Sequence, residues 1–225
     1  MPKPVKKPRE RRWGKPHGVI EKTARKDWLT GREVLEACWF KRPRGDLKYA
    51  ALKRTRHSVQ SREPLVGETM YIHTHSAPSG TPLEALPSGN DLHRAWTDFI
   101  YSDIRSWVIS RVYKRGEIGR TIIKVKKGAT ENQEVIERNE RLVEQYVSLV
   151  EKLGELLLKR RRRHEVAEVK KKIWDALRRL ESEGVISIRF VPMPGYRFDK
   201  EKGDFVKTQT VWSRLKNRIK ALKPF

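Results

Sequence analysis

The strongest constraint on the fold of this 225-residue chain is a hydrophobic segment that ends in His73-Thr74-His75. Thr69 to Ile72 has the composition of a β-strand, and it delivers the chain directly to the first histidine. Alternate residues of a strand point to the same face, so the two imidazoles aim at one point. A catalytic zinc site needs this arrangement of two imidazoles.

A loop rich in proline and glycine follows this segment, from Ser76 to Gly89. It leads to Asp91, and a turn can return that carboxylate to the two histidines. Two imidazoles and one carboxylate form the three-ligand set of a catalytic zinc, because the fourth tetrahedral position stays open for water. We therefore predict a Zn²⁺ site made by His73, His75 and Asp91, with Glu84 as the alternative to Asp91.

The charge of the chain predicts a polyanionic partner. Fifty-one Lys and Arg residues stand against 28 Asp and Glu, which gives a net charge of +23 and a pI near 10.3. Such an excess goes far beyond what solubility requires, so we expect the partner to be nucleic acid, DNA or RNA, or a nucleoprotein. The excess of basic over acidic residues is smaller in residues 61–130 than in the regions on either side.

The sequence lacks the features of several classes of protein. No apolar run approaches the roughly 18–20 residues that cross a bilayer, and the N-terminus lacks the apolar stretch of a secretion signal. We expect a cytoplasmic protein with no membrane partner. A single cysteine, Cys38, excludes an internal disulfide framework and a multi-cysteine zinc finger.

The order of elements predicts three regions: a disordered basic arm (1–18), a metal domain (19–128) and a basic helical and hairpin region (129–225). Thr30 to Glu33 fits a capping box, although the apolar residues after it could equally form a buried strand. Periodicity and turn residues predict strands at 46–57, 65–72, 107–113, 120–125 and 185–191, helices at 91–101, 131–158, 165–183 and 211–222, and a hairpin at 196–206.

Three short motifs, in order, resemble a known family. Glu36-Ala37-Cys38, then His73-Thr74-His75, then Ser88-Gly89-Asn90-Asp91 resembles the JAMM motif of the JAB/MPN metallopeptidases, over about residues 25–128. The phrase from Pro78 to Pro82 is similar to the loop of RadC-type JAB proteins, which are linked to DNA. The resemblance implies an α+β fold in which a mixed sheet is flanked by helices, followed here by a basic helical extension.

The resemblance also implies a role for each residue of the motifs. In that family the two histidines and the aspartate bind zinc, which corresponds to His73, His75 and Asp91 here. Glu36 would be the general acid/base, with Glu33, Glu63 and Glu68 as rivals, and Ser88 would help to stabilise the oxyanion. The implied activity is zinc-dependent hydrolysis of a peptide or isopeptide bond, with a peptide or a ubiquitin-like conjugate as substrate.

The basic residues after position 128 are the candidates for contact with nucleic acid. Four consecutive arginines can be a solvated helix surface, but in so cationic a chain we favour phosphate contact. Residues 173–186 are similar to the end of a winged helix, and a plain helical extension that packs on the sheet is the alternative. The predicted contact residues are Arg160, Arg161, Arg162, Arg163, Lys170, Lys171, Lys172, Arg178 and Arg179.

Two further functions fit the same sequence. One is a JAB-like nucleic-acid-binding protein without catalysis, whose metal site is vestigial or structural. The other is a component of a ribonucleoprotein particle with no chemistry of its own. Neither predicts chelator-sensitive cleavage, so this property separates them from the peptidase hypothesis.

Overall fold

The computed structural model describes residues 16–31, 34–55, 58–77, 85–113, 116–126, 128–159 and 163–208. In chain order, its elements are α1 (Pro16–Gly31), β1 (Cys38–Lys41), β2 (Leu47–Tyr49), β3 (Ala51–Arg54), β4 (Val59–Ser61), β5 (Met70–Ala77), α2 (Gly89–Tyr101), β6 (Ser106–Tyr113), β7 (Gly116–Val125), α3 (Gln133–Leu158), α4 (Arg163–Ser182), β8 (Ile186–Pro192), β9 (Tyr196–Asp199) and β10 (Asp204–Lys207).

A six-stranded mixed sheet forms the centre of the molecule, with the strand order β2-β1-β5-β6-β7-β8. Strands β5 and β6 run parallel because α2 provides the crossover between them, and the other neighbours are antiparallel. The remaining described strands form two small antiparallel sheets, one of β3 and β4 and the other of β9 and β10. The predicted α+β class with a mixed sheet and flanking helices is confirmed.

Helices cover both faces of this sheet, as the alternation of side chains along its strands requires. On one face, Ile20 and Ala24 of α1 pack on Trp39, Ile72 and Val108. The opposite face carries the main core, to which α2, α3 and α4 contribute; its largest fully buried side chains include Trp96, Trp107, Tyr146, Phe40 and Phe99. Both histidines of the motif belong to β5, a central strand of the sheet.

Several local predictions are wrong, each for an identifiable reason. The capping box at Thr30 is absent because α1 continues through this residue, whose hydroxyl donates to the carbonyl oxygen of Lys26. The predicted strand at 46–57 is divided at Ala50, whose backbone bonds both Cys38 and Arg62. The predicted strand at 65–72 begins only at Met70. Residues 16–18 belong to α1, and the rest of the predicted arm lies outside the described residues.

The sheet and the main core extend past residue 128, where the sequence predicts a boundary. Strand β8 pairs with β7 along its whole length, from Pro192 opposite Gly119 to Ile186 opposite Val125. Helix α4 buries Ile173 in the main core. The region after residue 128 thus adds a strand to the sheet and a helix to its core, and a winged-helix end is not confirmed. The predicted helix at 211–222 lies outside the described residues.

Gly119 of β7 is the place where the β9–β10 hairpin meets the sheet. A Cβ atom at this position would lie 2.3 Å from the ring of Phe205, whereas one at Gly116 would meet nothing within 4 Å. We predict that Gly119→Ala lowers the free energy of unfolding by about 1–3 kcal/mol, because the ring has to move. Urea denaturation measures this, and Gly116→Ala is the matched control. Equal effects of the two substitutions would contradict the close approach.

Candidate metal centre

Three predicted ligands come together on the face of β5 that α2 covers. The Nε2 atom of His73 lies 3.2 Å from Oδ1 of Asp91, and Nε2 of His75 lies 3.2 Å from Oδ2 of the same carboxylate. The two Nε2 atoms are 2.9 Å apart, and all ligand atoms of the group lie within 4.8 Å of one another. Ligands at about 2.0–2.1 Å from a tetrahedral ion are roughly 3.3 Å apart, so this triangle has the size of a metal site.

Aromatic packing fixes the first of these imidazoles. His73 is buried, and its ring centroid lies 5.6 Å from that of Tyr71 and 5.5 Å from that of Trp107. Its Nδ1 atom has no hydrogen-bond partner among the described residues. The orientation of the ring therefore depends on its aromatic neighbours and on the group at Nε2.

The serine and aspartate of the motif form a capping box at the start of α2. Ser88 is the N-cap: its Oγ accepts a hydrogen bond from the Asp91 amide at 3.2 Å, and its own amide donates to Oδ2 of Asp91 at 2.9 Å. The same carboxylate faces both imidazoles, so the cap orients a ligand. Sequence reasoning missed this second role, although Ser-x-x-Asp before a helical segment is the signal for it.

Other elements hold the segment that precedes Ser88. The hydroxyl of Tyr146, in α3, donates to the carbonyl oxygen of Pro87 at 2.8 Å. Thr121 of β7 donates to the carbonyl oxygen of Ala85. These contacts join residues far apart in sequence, so no local pattern could have revealed them.

Glu36 lies beside the histidines, on an extension of β1. The antiparallel register pairs Cys38 with His73, and the Thr74 amide donates to the Ala37 carbonyl oxygen at 2.9 Å. Strand β1 itself begins at Cys38, and the Glu36 carboxylate lies close enough to His75 to help raise the pKa of that imidazole. Glu36 is buried, with 8% of its surface exposed.

Its predicted rivals are placed differently. Glu68 is bound by the Arg62 guanidinium at 2.6 Å and by the Leu65 amide at 2.8 Å, so it stabilises a turn. Glu63 is exposed. Glu33, like the alternative ligand Glu84, lies outside the described residues.

Burial and the neighbouring charges shift the pKa values of the three residues in different directions. Burial lowers the pKa of His73, and the Asp91 carboxylate only partly offsets this. Burial would also lower the pKa of His75, but Asp91 and Glu36 outweigh it and raise that pKa. Burial alone would raise the pKa of Asp91, but the two imidazoles hold this pKa well below its usual range. An ionised carboxylate thus faces two imidazoles, and His75 is the one that retains a proton more readily.

Those predicted nucleic-acid contacts that the structure describes lie elsewhere, on α4, and none of them belongs to the metal cluster. Lys171, Lys172, Arg178 and Arg179 are exposed and Lys170 is half-buried. Three of them pair along the helix: Lys172 with Glu168 at 2.7 Å, Arg178 with Asp175 at 2.5 Å and Arg179 with Glu183 at 3.9 Å. Arg163 begins α4, and Arg160 to Arg162 lie outside the described residues.

Comparison with known proteins finds no relative that could assign a function to this site. No family model, curated protein or solved structure matches the chain. Within the described ranges, no helix combines the length and the apolar composition that spanning a bilayer requires. The site must therefore be interpreted from its own residues, as a group that could hold a metal ion.

Proposed function

We propose that the protein is a zinc-dependent peptidase or isopeptidase of the JAMM type, brought to nucleic acid or a nucleoprotein by its basic regions. One observation carries the proposal. The ligand atoms of His73, His75 and Asp91 lie within 4.8 Å of one another, and Glu36 lies close enough to His75 to help raise the pKa of that imidazole. This is the residue set that the sequence motif predicts, assembled from three separate segments.

The ligand set fits zinc. Imidazole nitrogen and carboxylate oxygen are both good zinc ligands, and three of them leave one coordination position for a reactant. The two Nε2 atoms face each other at 2.9 Å, and each also lies 3.2 Å from an oxygen of the Asp91 carboxylate. A cation at this point satisfies both imidazoles and the carboxylate at once, which supports a metal-binding role for the cluster.

The surrounding residues supply the acid–base chemistry. Bound zinc provides a Lewis acid and lowers the pKa of water at the site towards neutrality. The Glu36 carboxylate accepts a proton from the attacking water and passes it to the leaving amine. The Ser88 hydroxyl accepts the Asp91 amide hydrogen and still has its own hydrogen to donate to the oxyanion. Ser88 is exposed, so a substrate can reach it.

Zinc content and chelator sensitivity test this proposal together. We expect purified protein to hold one zinc per chain and to cleave a peptide or a ubiquitin-like isopeptide conjugate in a reaction that EDTA stops. His73→Ala should remove both properties, because it deletes a ligand. The proposal is abandoned if the protein holds no zinc and His73→Ala leaves every activity unchanged.

The pH dependence of zinc binding follows from the raised pKa of His75. Zinc binds the deprotonated imidazole, so protons compete with it once the pH falls to that pKa. We predict that zinc affinity is constant at alkaline pH and then falls roughly ten-fold per pH unit as one proton is taken up. Competition titrations with a chelating dye between about pH 5 and pH 8 measure it. An affinity that rises on acidification would contradict the assignment of His75 as a ligand.

The proposed nucleic-acid contact makes a separate prediction about α4. Lys170 and Lys171 form no ion pair within the described part of the chain, whereas Lys172 is held by Glu168. We predict that replacing Lys170 and Lys171 by Gln weakens binding to labelled DNA or RNA oligonucleotides and lowers the slope of log K against log salt by about 1–2. Lys172→Gln should lower the slope less, because Glu168 already offsets part of the charge of Lys172. An unchanged salt slope in the double variant would exclude phosphate contact by this helix.

A non-catalytic role as a nucleic-acid-binding protein is the second candidate. The capping box favours it, because starting α2 is by itself a sufficient reason for Ser88 and Asp91. In that case EDTA should leave nucleic-acid binding unchanged, and no cleavage should be found. Zinc-dependent cleavage decides between the two candidates.

A further inference from the structure

The turn that joins β9 and β10 is closed by its own hydrogen bonds. The Asp199 carboxylate accepts from the amides of Glu201 and Lys202, each at 3.1 Å, and the Gly203 amide donates to the Asp199 carbonyl oxygen at 2.8 Å. Gly203 has a φ of +61°, a conformation that favours glycine. The tip of the hairpin is therefore a defined structure, and it directs the next residue, Asp204, towards the sheet.

Gly203 contacts the segment that leads into α2. Its carbonyl oxygen accepts a hydrogen bond from the Ala85 amide at 3.0 Å, three residues before Ser88. Ala85 is fully buried in a small core with Ile118 and Phe205. The hairpin tip thus holds the chain immediately upstream of the capping box that orients Asp91.

Asp204, the next residue, contacts the other end of the same loop through Arg111. The Arg111 guanidinium donates to Oδ1 and Oδ2 of Asp204, at 3.2 Å and 3.1 Å, and to the carbonyl oxygen of Ser76 at 3.0 Å. Ser76 directly follows His75, and Arg111 is the β6 residue that pairs with His75. Only 1% of the Arg111 side chain is exposed, so these acceptors replace water that the guanidinium has lost.

Phe205, the residue after Asp204, anchors the same hairpin on the sheet next to Arg111. Its ring lies over Gly119, and Gly119 is the β7 partner of Arg111. Gly203 and Asp204 therefore hold the two ends of the loop between His75 and Asp91. Phe205 fixes the tip of the hairpin to the sheet.

We infer that Asp204 is a positioning residue for the metal centre, acting through Arg111 on His75 and, with Gly203, on the segment that carries Asp91. This inference rests on the proposed metal site. Without the Asp204 carboxylate, the Arg111 guanidinium loses two acceptors on the side opposite its bond to the Ser76 carbonyl oxygen, so that bond is no longer held in the same place. Outer groups that orient metal ligands contribute about 10–100-fold to metal affinity, which is the effect we expect here.

The experiment compares zinc affinity across a set of full-length variants, by competition with a chelating dye at a temperature well below unfolding. Asp204→Asn should weaken zinc binding about ten-fold or more, and Asp204→Glu should recover part of the loss. The control is Arg197→Gln, which removes the other ion pair of the hairpin, with Asp199 at 3.2 Å, and should bind zinc like the unmodified protein. The visible spectrum of the cobalt-loaded protein should change in Asp204→Asn and stay unchanged in Arg197→Gln, because ligand geometry changes only where the Asp204 carboxylate is altered.

The outcomes separate this inference from the proposed function. If the unmodified protein binds zinc and Asp204→Asn binds it equally tightly with the same cobalt spectrum, Asp204 has no positioning role. If the unmodified protein binds no metal, the proposed function itself fails. If Asp204→Asn does not fold, Phe205→Leu decides instead: it loosens the hairpin without leaving a buried charge, and unchanged zinc affinity in that variant would overturn the inference.

Discussion

Replacing Asp91 by asparagine is expected to abolish stoichiometric zinc binding while α2 stays folded. The asparagine side-chain oxygen can still accept the Ser88 amide hydrogen, so the start of the helix keeps its cap. The anion that both imidazoles share is lost, and with it one of three ligands. We expect a loss of affinity greater than the roughly 10–100-fold produced by an outer group. Zinc titration of the apo-protein measures it, with circular dichroism as the check on folding.

Ser88→Ala is the matched control for this substitution. It removes the hydroxyl that accepts the Asp91 amide hydrogen, and it keeps the Ser88 backbone amide that donates to the carboxylate. We expect about 1 kcal/mol less stability and a much smaller change in zinc affinity. The reverse pattern, in which Asp91→Asn still binds zinc and Ser88→Ala does not, would show that the carboxylate serves only the cap.

Glu36→Gln is expected to keep zinc and to lose hydrolysis. Glutamine has the size and hydrogen-bonding capacity to remain in this buried position, but it cannot take a proton from water. General acid–base catalysis contributes typically about 10²–10⁴-fold, so we expect a loss of that order in the initial rate of cleavage. The substrate is whichever peptide or isopeptide conjugate the unmodified protein cleaves in an EDTA-sensitive reaction, and zinc content is measured on the same samples.

The matched control for Glu36 is Glu68→Gln. Glu68 is also buried, but it belongs to an ion pair with Arg62 and to a turn. Its loss should lower stability and leave the rate per folded molecule unchanged. If Glu36→Gln retains the full rate, the proton is moved by another group and the acid/base assignment is wrong.

The parts of the site that could be predicted from sequence are those that depend on short-range geometry. A strand places residues two apart on one face, so His73 and His75 had to point the same way. The pairing of β6 with β7 was equally accessible from their apolar composition, although β7 begins at Gly116, within the predicted turn and four residues before the predicted start of the strand. The helix that begins at the capping box was predicted within two residues of its observed start at Gly89.

The parts that could not be predicted depend on contacts between distant segments. Nothing near Tyr146 indicates that its hydroxyl will reach the Pro87 carbonyl, and nothing near Asp204 indicates a buried arginine 93 residues earlier. The capping box at Thr30 failed for the opposite reason. Its local pattern was satisfied, but burial of Ile20 and Ala24 against the sheet fixes the helix upstream of it. Tertiary packing thus overrode a local signal there.

The most direct measurement is anomalous diffraction at the zinc edge from crystals of the zinc-loaded protein. We predict a single strong peak about 2.0–2.2 Å from Nε2 of His73, Nε2 of His75 and one carboxylate oxygen of Asp91, with the Glu36 carboxylate facing it. A crystal structure in which these three side chains point apart, or a peak bound by other residues, would contradict the proposed metal centre and the chemistry that depends on it.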